Sequence, residues 1–301
     1  MEKLIILGAG PAGLTAGIYA ARSGISPLII ERLYAGGQMA NTPEIENYPG
    51  IPHADGVTLS EQMRAHAEGL GVRFRTLDAS ALTRTDGGFT LTTDEGELTA
   101  RTVIAATGAS KRKLGVPSEA KYAGRGVSYC ATCDGSFFKG QACVVIGGGD
   151  AAAEDALYLA GVAGKVTLAY HESALRCERA LIEQLKDAGV RMLLGVRVTE
   201  IYGSQAAEGV RFTDADGNPR TVEARGVFIA VGSAANSELL RGLLETDTAG
   251  RVKAGEDCVT DVPGLYVAGD VREKPLYQIV TACADGANAA RQAAAFLRRT
   301  V

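Results

Sequence analysis

Two cysteines separated by two residues, in the segment Cys130-Ala-Thr-Cys133, are the residues of this sequence best suited to chemistry. Two thiols at this spacing can close a small disulfide ring, and a thiol at the start of a helix can have a lowered pKa. Asp134 follows directly, and an acid beside a dithiol can give a proton to a leaving thiolate. The segment therefore predicts a redox-active dithiol with an adjacent proton donor.

Two other interpretations of this cysteine pair stay open from the residues alone. A structural zinc site needs four ligands, typically from a second pair of the same spacing. The remaining cysteines form no second pair: Cys143, Cys177, Cys258 and Cys283. We therefore predict no metal site, whereas two core cysteines are compatible with the spacing. Asp134 is equally compatible with a turn or a helix N-cap before Ser136-Phe137-Phe138.

The composition limits the classes of protein to which the chain can belong. Of its 301 residues, 46% are hydrophobic and 22% are charged, which is ordinary for a globular domain and excludes disordered and collagen-like chains. The net charge of −4 arises from 31 basic and 35 acidic residues with no long run of like charge, so neither nucleic acid nor a membrane surface is an expected partner. The 38 glycines, about twice the usual share, predict tight turns and close approach of the backbone to ligands.

The stretch from residue 4 to residue 21 carries no charge and needs a separate explanation. Its length suits a signal-peptide core or a short membrane span, but it contains Gly8, Gly10, Pro11, Gly13 and Gly17. These residues favour a strand, a turn and a helix of a folded domain. Without export, six cysteines in a chain of this size do not indicate a disulfide framework. We expect a reducing, cytoplasmic location in which any disulfide is catalytic.

The same strand, glycine turn, helix and strand occur twice along the chain. The first copy runs from an apolar strand at Leu4–Leu7 through the turn Gly8–Gly13 and a helix to a second strand that ends at Glu31. The second copy repeats this order over residues 143–170, with its glycine turn at Gly147–Ala152. Short apolar strands around an alanine-rich helix predict a right-handed βαβ unit with a parallel sheet.

The spacing of the glycines in the first turn has a mechanical explanation. Gly8 permits the tight turn, Gly10 lets a pyrophosphate approach the backbone, and Gly13 lets helix and strand pack closely. The helix N-terminus then stabilises the anion, and Glu31 comes 23 residues after Gly8, where an acid accepts from ribose hydroxyls. The flanking strand and helix favour a dinucleotide site over a packing turn without a ligand.

A second pair of similar segments extends the duplication. Residues 101–108 resemble residues 225–232, so each dinucleotide unit is followed by a strand that ends in glycine. The predicted fold class is α/β, with two Rossmann-like, three-layer dinucleotide-binding domains and small antiparallel sheets inserted at the hairpin signals. We predict one domain at residues 1–112 and 238–301, and a second domain, which carries the cysteine pair, at residues 113–237.

The last part of the chain returns to the first domain. It contains one more strand, Gly264-Leu-Tyr-Val-Ala-Gly269-Asp270, and a final helix around Thr281–Arg298. Asp270 could accept a hydrogen bond from a sugar or ribityl hydroxyl at the end of this strand, or it could simply close a turn. The residues alone leave both interpretations open.

Together these motifs resemble those of the low-molecular-weight thioredoxin reductase family. Besides the two glycine turns and the cysteine segment, the matching pieces are Gly36-Gly-Gln-Met39, Asn47-Tyr-Pro-Gly50, Ala106-Thr-Gly108, Gly264–Val271 and Tyr277-Gln-Ile-Val-Thr-Ala282. They follow the family's order over nearly the whole chain. A CxxC just before the second glycine motif is characteristic of this family.

The resemblance implies that the first and last segments bind FAD. Glu31 would hold the adenosine ribose, Gln38 and Asn47 would lie along the FAD, Asp270 would lie near its ribityl chain, and Gln278 near the flavin. The implied FAD contacts are Gly8, Gly10, Pro11, Ala12, Gly13, Glu31, Gly37, Gln38, Asn47, Ala106, Thr107, Gly108, Gly269, Asp270, Gln278 and Ile279.

The resemblance also implies roles for the cysteine segment and an assembly. Cys133 would face the flavin, Cys130 would attack the disulfide of thioredoxin or a similar small protein, and Asp134 would act as acid–base. A homodimer is implied, together with a second domain that swivels so that the dithiol and the nicotinamide take turns at the flavin.

The sequence departs from the family at the nucleotide site of the second domain. NADPH-dependent members have a His-Arg-Arg cluster here, and its arginines clamp the 2′-phosphate. This chain has Tyr170-His171-Glu172 instead, and only Arg176 of the family's basic residues survives. The persisting glycine motif would place a nicotinamide nucleotide against Gly147, Gly149, Asp150, Ala152 and Arg176. The electron donor is left open between NADH, NADPH, and a reduced carrier such as ferredoxin with no nicotinamide nucleotide.

The function predicted from the resemblance is that of a thioredoxin-disulfide reductase. FAD would pass two electrons to the disulfide of Cys130 and Cys133, and the resulting dithiol would reduce the partner protein. Two alternatives remain. One is a flavin-dependent dithiol oxidase that forms disulfides with oxygen as acceptor, and the other is a non-catalytic flavin redox sensor.

Overall fold

The computed structural model describes residues 1–42 and 45–299, which divide into two compact units. The first unit comprises Met1–Ser110 and the chain from Ser233 onward, and the second unit comprises Lys111–Gly232. The domain limits predicted from the sequence, at residues 112/113 and 237/238, lie a few residues further along the chain.

The first unit is built around one long sheet with helices packed against it. Its strands are β1 (Glu2–Leu7), β2 (Leu28–Glu31), β3 (Arg73–Thr76), β4 (Ala79–Thr85), β5 (Gly88–Thr93), β6 (Gly96–Ala105), β7 (Ala109–Lys111), β16 (Ser233–Ala235) and β17 (Leu265–Val267). Its helices are α1 (Pro11–Arg22), α2 (Gly56–Gly69) and α7 (Ile279–Arg299).

The sheet of the first unit is parallel at one end and antiparallel at the other. The strand order is β3-β2-β1-β6-β5-β4, with β17 also paired to β6. Strand β1 is central because its apolar side chains alternate between two cores. Leu4 and Ile6 pack with residues of α1 and α7, whereas Ile5 and Leu7 pack with Leu82 and other residues on the opposite face.

The second unit contains the cysteine segment. Its strands are β8 (Val127–Ser128), β9 (Ala142–Ile146), β10 (Lys165–Tyr170), β11 (Arg191–Leu194), β12 (Val196–Gly203), β13 (Ala207–Asp214), β14 (Pro219–Glu223) and β15 (Gly226–Ile229). Its helices are α3 (Glu119–Tyr122), α4 (Ala131–Asp134), α5 (Asp150–Ala160) and α6 (Arg179–Asp187).

The second unit has a parallel sheet and a separate antiparallel one. The parallel sheet has the order β11-β10-β9-β15-β8, and the antiparallel sheet has the order β12-β13-β14. The predicted α/β class, with Rossmann-like units and small antiparallel insertions, is confirmed. In the first unit the insertion is not a separate sheet, because β5 pairs with β6 and β6 continues into the parallel strands.

The last helix, α7, spans Ile279–Arg299, close to the predicted range. It packs tightly against α1, since a Cβ on Gly286 would lie 2.1 Å from the backbone oxygen of Ala12. Among the described residues, no helix is both long enough and apolar enough to cross a membrane.

Candidate active site and nucleotide sites

The first glycine turn joins β1 to α1 in a space that admits no larger side chains. Gly8 has φ +102°, and a Cβ there would lie 2.4 Å from the backbone oxygen of Ala106. A Cβ on Gly13 would lie 1.9 Å from the backbone oxygen of Gly8. Both contacts are far below a normal van der Waals separation, so the packing itself requires glycine at these two positions, as the sequence predicted.

Gly10 is different, because the space beside it is open. It is the N-cap of α1, with Pro11 as the first helical residue. A Cβ on Gly10 would meet only the Gly36 oxygen, at 4.0 Å, and a Cβ on Gly37 would lie 3.5 Å from the Cα of Gly10. An unobstructed backbone at a helix N-terminus is what the pyrophosphate of a dinucleotide requires.

Glu31 is held beside this turn by backbone amides. It ends β2, and its Oε2 accepts a hydrogen bond from the Ala9 N–H at 2.9 Å. Its Oε1 accepts from the N–H groups of Arg32 and Leu33, at 2.8 and 3.2 Å. The carboxylate borders a small cleft that is also lined by Tyr34 and other residues. The three amides fix its orientation, which is compatible with the expected role of Glu31 at an adenosine ribose.

The strand-end motif Ala106-Thr107-Gly108 follows β6 and is tied to the last part of the chain. The Thr107 hydroxyl donates to the Asn236 carbonyl at 2.6 Å, and the Asn236 amide donates back to the Thr107 carbonyl at 3.0 Å. Sequence reasoning missed Asn236, since nothing in its local segment marks it.

Two further residues expected along the FAD meet directly. The side-chain amide of Asn47 donates to Oε1 of Gln278 at 3.0 Å, although 231 residues separate them. Ile279, the first residue of α7, packs in a small cluster with Met39 and Ile45. The structure thus brings Asn47, Gln278 and Ile279 to the same end of α7.

Asp270 belongs to a buried group of charges that the sequence did not reveal. Its Oδ1 lies 3.4 Å from Nζ of Lys274, and the same Nζ lies 3.2 Å from Oδ2 of Asp285. Asp285 also accepts from the Gly269 N–H at 3.0 Å and from the Arg272 guanidinium at 2.7 Å. Gly269, with φ +78°, in turn lies against Ala12 at the start of α1. These contacts hold the Asp270 carboxylate against Lys274, while the backbone just before it lies at the start of α1.

The residues of the first unit therefore fit an FAD site. The fit rests on the open backbone at Gly10 and on carboxylates of Glu31 and Asp270 that other groups hold in place. The simple turn-closing interpretation of Asp270 does not account for its buried partner Lys274, whose side chain is 3% exposed.

Cys130 and Cys133 form a disulfide, with 5.3 Å between their Cα atoms. Cys130 is the N-cap of the short helix α4, directly after β8, and both cysteines are half-buried. Because they are bonded to each other and partly exposed, these residues are neither core cysteines nor zinc ligands. Over the described residues, no group of three or more His, Cys, Asp or Glu side chains could hold a metal ion.

Ser128 links the cysteine segment to Asp134. Its hydroxyl accepts from the Cys130 N–H at 3.1 Å and donates to Oδ2 of Asp134 at 2.6 Å. The other carboxylate oxygen, Oδ1, is buried without a hydrogen-bond partner. Burial raises the pKa of Asp134, and the Ser128 hydrogen bond partly opposes this. Asp134 occupies the N-cap position of the 3-10 helix Gly135–Phe138, as the turn or N-cap interpretation expected, but its side chain makes no capping hydrogen bond there.

A second acid lies near the dithiol helix and was not predicted. Asp155, on α5, has its pKa raised to about 6, chiefly by burial. Lys111 and the backbone amide of Ala131, the first residue of α4, act in the opposite direction. The sequence carried no signal for this residue, because its position depends on how α4 packs on α5.

The second glycine turn repeats the geometry of the first. A Cβ on Gly147 would lie 2.3 Å from the Ala230 oxygen and 2.8 Å from the Cβ of Ala152, whereas a Cβ on Gly149 would meet nothing. Gly149 is the N-cap of α5, and Asp150, the first residue of the helix, accepts from the Glu178 N–H at 2.8 Å. An open approach to the helix N-terminus is therefore present here too.

The last residue of β10 and the segment that follows it lie against one side of this turn. The ring of Tyr170 packs against Gly148, where a Cβ would lie 2.4 Å from three ring carbons. Glu172 and Arg176 form a two-point ion pair, in which Arg176 Nε donates to Glu172 Oε2 at 2.8 Å and Nη2 donates to Oε1. His171 Nε2 lies 3.6 Å from the same Oε1.

Comparisons with known proteins match nearly the whole chain. A family model described as pyridine nucleotide-disulphide oxidoreductase matches residues 2–287. A thioredoxin reductase from Listeria monocytogenes is 41% identical over 293 residues, which cover 96% of this chain and 92% of the relative. The solved structure of a thioredoxin reductase from Streptococcus pyogenes is 39% identical, has a TM-score of 0.90 and covers 98% of both chains.

One similar protein has a different name. A glucosaminate ammonia-lyase from Pseudomonas fluorescens is 39% identical over 299 residues, covering 96% of this chain and 93% of that protein. Overall similarity is thus shared by proteins with different named activities. The chemistry of this chain has to be argued from its own cysteines and nucleotide turns.

Proposed function

Since this chain belongs to the low-molecular-weight thioredoxin reductase family of FAD-dependent oxidoreductases, we propose that it reduces the disulfide of thioredoxin or of a similar small protein. The Cys130–Cys133 disulfide carries the proposal, because it is partly exposed and is followed by the buried carboxyl of Asp134. Electrons would pass from a donor through FAD to this disulfide.

The first unit would hold the FAD. FAD, when bound, takes up two electrons from the donor and passes them to a disulfide. Gly10 and the N-terminus of α1 would accommodate its pyrophosphate, and Glu31 would bind its adenosine ribose. Asp270, held by Lys274, would accept from the ribityl chain.

The reduced cysteine pair would perform thiol–disulfide exchange. The Cys130 thiolate attacks one sulfur of the substrate disulfide, and the other substrate sulfur leaves with a proton from Asp134. The Cys133 thiol then gives its proton to the Asp134 carboxylate, and its sulfur attacks Cys130 in the mixed disulfide. This restores the Cys130–Cys133 bond and releases the second substrate sulfur, which leaves with that proton. Two electrons and two protons reach the substrate in each cycle.

Trapping of the mixed disulfide tests these roles. Cys133→Ser should accumulate a covalent complex with oxidised thioredoxin after reduction, because the attacking sulfur of Cys130 remains and the resolving sulfur is gone. Cys130→Ser should trap none. Cys283→Ser, which removes a half-buried thiol outside the pair, is the control and should behave as the unmodified protein. A reversed trapping pattern would assign the attack to Cys133 instead.

Turnover assays distinguish the proposal from its alternatives. Repeated reduction of thioredoxin by catalytic amounts of the FAD-loaded protein is the expected result, with NADH, NADPH or reduced ferredoxin supplied as donor. Oxygen uptake driven by a small dithiol, without reduction of thioredoxin, would identify a dithiol oxidase. Absence of turnover with every donor and disulfide would identify a redox sensor.

The family resemblance also supports a homodimer and a cytoplasmic location as parts of this proposal. Sedimentation equilibrium of the FAD-loaded protein should give twice the chain mass of 31.2 kDa. A mass equal to that of one chain would show that the protein is a monomer in solution and would contradict the homodimer.

A further inference from the structure

The two glycine turns lie in the same register with the strands beside them. In the first unit, the Gly8 N–H donates to the Ile30 carbonyl at 2.8 Å; in the second, the Gly147 N–H donates to the Ala169 carbonyl at 3.0 Å. The residues that follow these carbonyls, Glu31 and Tyr170, therefore occupy equivalent positions.

The side chains at these equivalent positions differ in chemistry between the two units. Glu31 presents a carboxylate to the amide of Ala9, the middle residue of its turn. Tyr170 instead lays its ring against Gly148, the middle residue of the second turn, and is 9% exposed. The carboxylate that would bind a ribose in the second unit must therefore come from a residue after Tyr170.

Glu172 is placed to supply that carboxylate. Its backbone carbonyl accepts from the Gly195 N–H at 2.8 Å, and the Arg176 N–H donates to the Gly148 carbonyl at 2.7 Å. These bonds hold the segment from Glu172 to Arg176 against the glycine turn. The Glu172 side chain, 35% exposed, can thus reach a nucleotide on the turn.

The basic side chains of this segment already interact with the carboxylate of Glu172. Between residues 170 and 176 they are His171 and Arg176. Arg176 makes two hydrogen bonds to the Glu172 carboxylate, and His171 lies 3.6 Å from it. A phosphate dianion at this place would meet a carboxylate at contact distance, with repulsion that grows as water is excluded. A ribose hydroxyl would find an acceptor in Glu172.

We propose that the second unit binds NADH in preference to NADPH, with Glu172 accepting from the ribose hydroxyls and the Tyr170 ring packing beside the adenosine. This inference rests on the proposed function and names its electron donor. In each cycle NADH gives a hydride, and the medium gives a proton. NAD⁺ is released, and the hydride's two electrons reach the Cys130–Cys133 disulfide through FAD.

Equilibrium binding of nucleotide fragments tests the preference without turnover. Isothermal titration of the oxidised, FAD-loaded full chain with ADP-ribose and with 2′-phospho-ADP-ribose should give at least tenfold tighter binding of ADP-ribose. Equal affinities, or tighter binding of the phosphorylated fragment, would overturn the proposal. Failure of both fragments to bind would also overturn it and would favour a reduced carrier protein as donor.

Variants of Glu172 test whether this residue determines the preference for the fragment without the 2′-phosphate. Glu172→Gln should weaken ADP-ribose binding about tenfold and reduce the difference in affinity between the two fragments. His171→Arg combined with Glu172→Arg should make the phosphorylated fragment the tighter ligand. Glu183→Gln removes the same charge from an exposed position on α6 and is the control. Equal effects of E172Q and E183Q would mean that net charge, not Glu172, sets the preference.

A separate measurement keeps this inference distinct from the proposed function. The enzyme is reduced with dithionite, freed of it and mixed with oxidised thioredoxin in the absence of nucleotide. Appearance of thioredoxin thiols without tight ADP-ribose binding would reject only the NADH inference. Absence of thiols would reject the reductase itself.

Discussion

The hydroxyl of Ser128 donates a hydrogen bond of 2.6 Å to the carboxylate of Asp134, six residues further along the chain. The same buried hydroxyl accepts from the backbone N–H of Cys130. A hydroxyl has one hydrogen, and the Asp134 carboxylate at 2.6 Å is a closer acceptor for it than the Cys130 carbonyl at 3.3 Å. One side chain therefore holds the backbone of the first cysteine and also lowers the pKa of Asp134 against the larger effect of burial.

Replacement of Ser128 by alanine should move the pH dependence of thioredoxin reduction to higher pH. The Ser128 hydrogen bond lowers the pKa of Asp134 against the effect of burial, so its loss keeps the carboxyl protonated to a higher pH. The protonated carboxyl serves the leaving thiolate, so the alkaline limb of the rate profile should shift upward. Stopped-flow mixing of the pre-reduced enzyme with thioredoxin across pH measures this. Ser128→Thr keeps the hydroxyl and should retain the original limb; an unmoved limb in S128A would contradict the role.

Asp134→Asn should slow the exchange with thioredoxin by about 10²-fold or more, because an amide gives no proton to a leaving thiolate. The Cys130–Cys133 disulfide should still form, since Asp134 makes no contact needed for the bond itself. Single-turnover oxidation of the dithiol by thioredoxin gives the rate, and thiol titration gives the disulfide content. Asp216→Asn, in an exposed turn, is the control. A rate within twofold of the unmodified protein would remove Asp134 from proton transfer.

Alanine substitutions at two glycines of the first turn should affect different properties, namely FAD affinity at Gly10 and stability at Gly13. Gly10→Ala adds a Cβ to open space, so the apoprotein should unfold at its usual temperature while FAD binds about tenfold or more weakly, a loss of about 1.4 kcal/mol. Gly13→Ala drives a Cβ into the Gly8 oxygen and should destabilise the apoprotein by about 1–3 kcal/mol. Calorimetry and FAD titration separate the two effects. Gly69→Ala, also in open space but at the end of α2, is the control and should change neither the stability of the apoprotein nor its affinity for FAD strongly.

Lys274→Met should destabilise the first unit by about 1–3 kcal/mol. The substitution removes the cation that the buried carboxylate of Asp285 shares with the partly exposed Asp270, while Asp285 keeps its ion pair with Arg272. Urea unfolding of the apoprotein measures the loss, and FAD titration should show weaker binding because Asp270 is no longer held. Lys253→Met at an exposed position is the matched control. Equal stability of the two variants would mean that the buried charges contribute little.

Much of the fold could be predicted because its signals are local. The two turns at Gly8–Gly13 and Gly147–Ala152 show a fixed local spacing of glycine and alanine, although the backbone that excludes a side chain at Gly8 and Gly147 belongs to the distant Ala106 and Ala230. The apolar runs beside them favour buried parallel strands. The fold class and the final helix followed from such patterns. Cys130 and Cys133 were singled out by their local spacing, but only the structure shows the bond between them.

The sequence by itself thus predicted the duplicated βαβ units, the closely spaced cysteine pair and the position of Glu31 at the end of the second strand. Only the tertiary structure decided which side chains meet across long separations. Asp285 closes on Gly269 and Lys274 because α7 packs on α1. Tyr170 covers Gly148, and Glu172 opposes Arg176, because of how the chain folds back after β10. Such contacts depend on the packing of whole elements, and no local spacing encodes them.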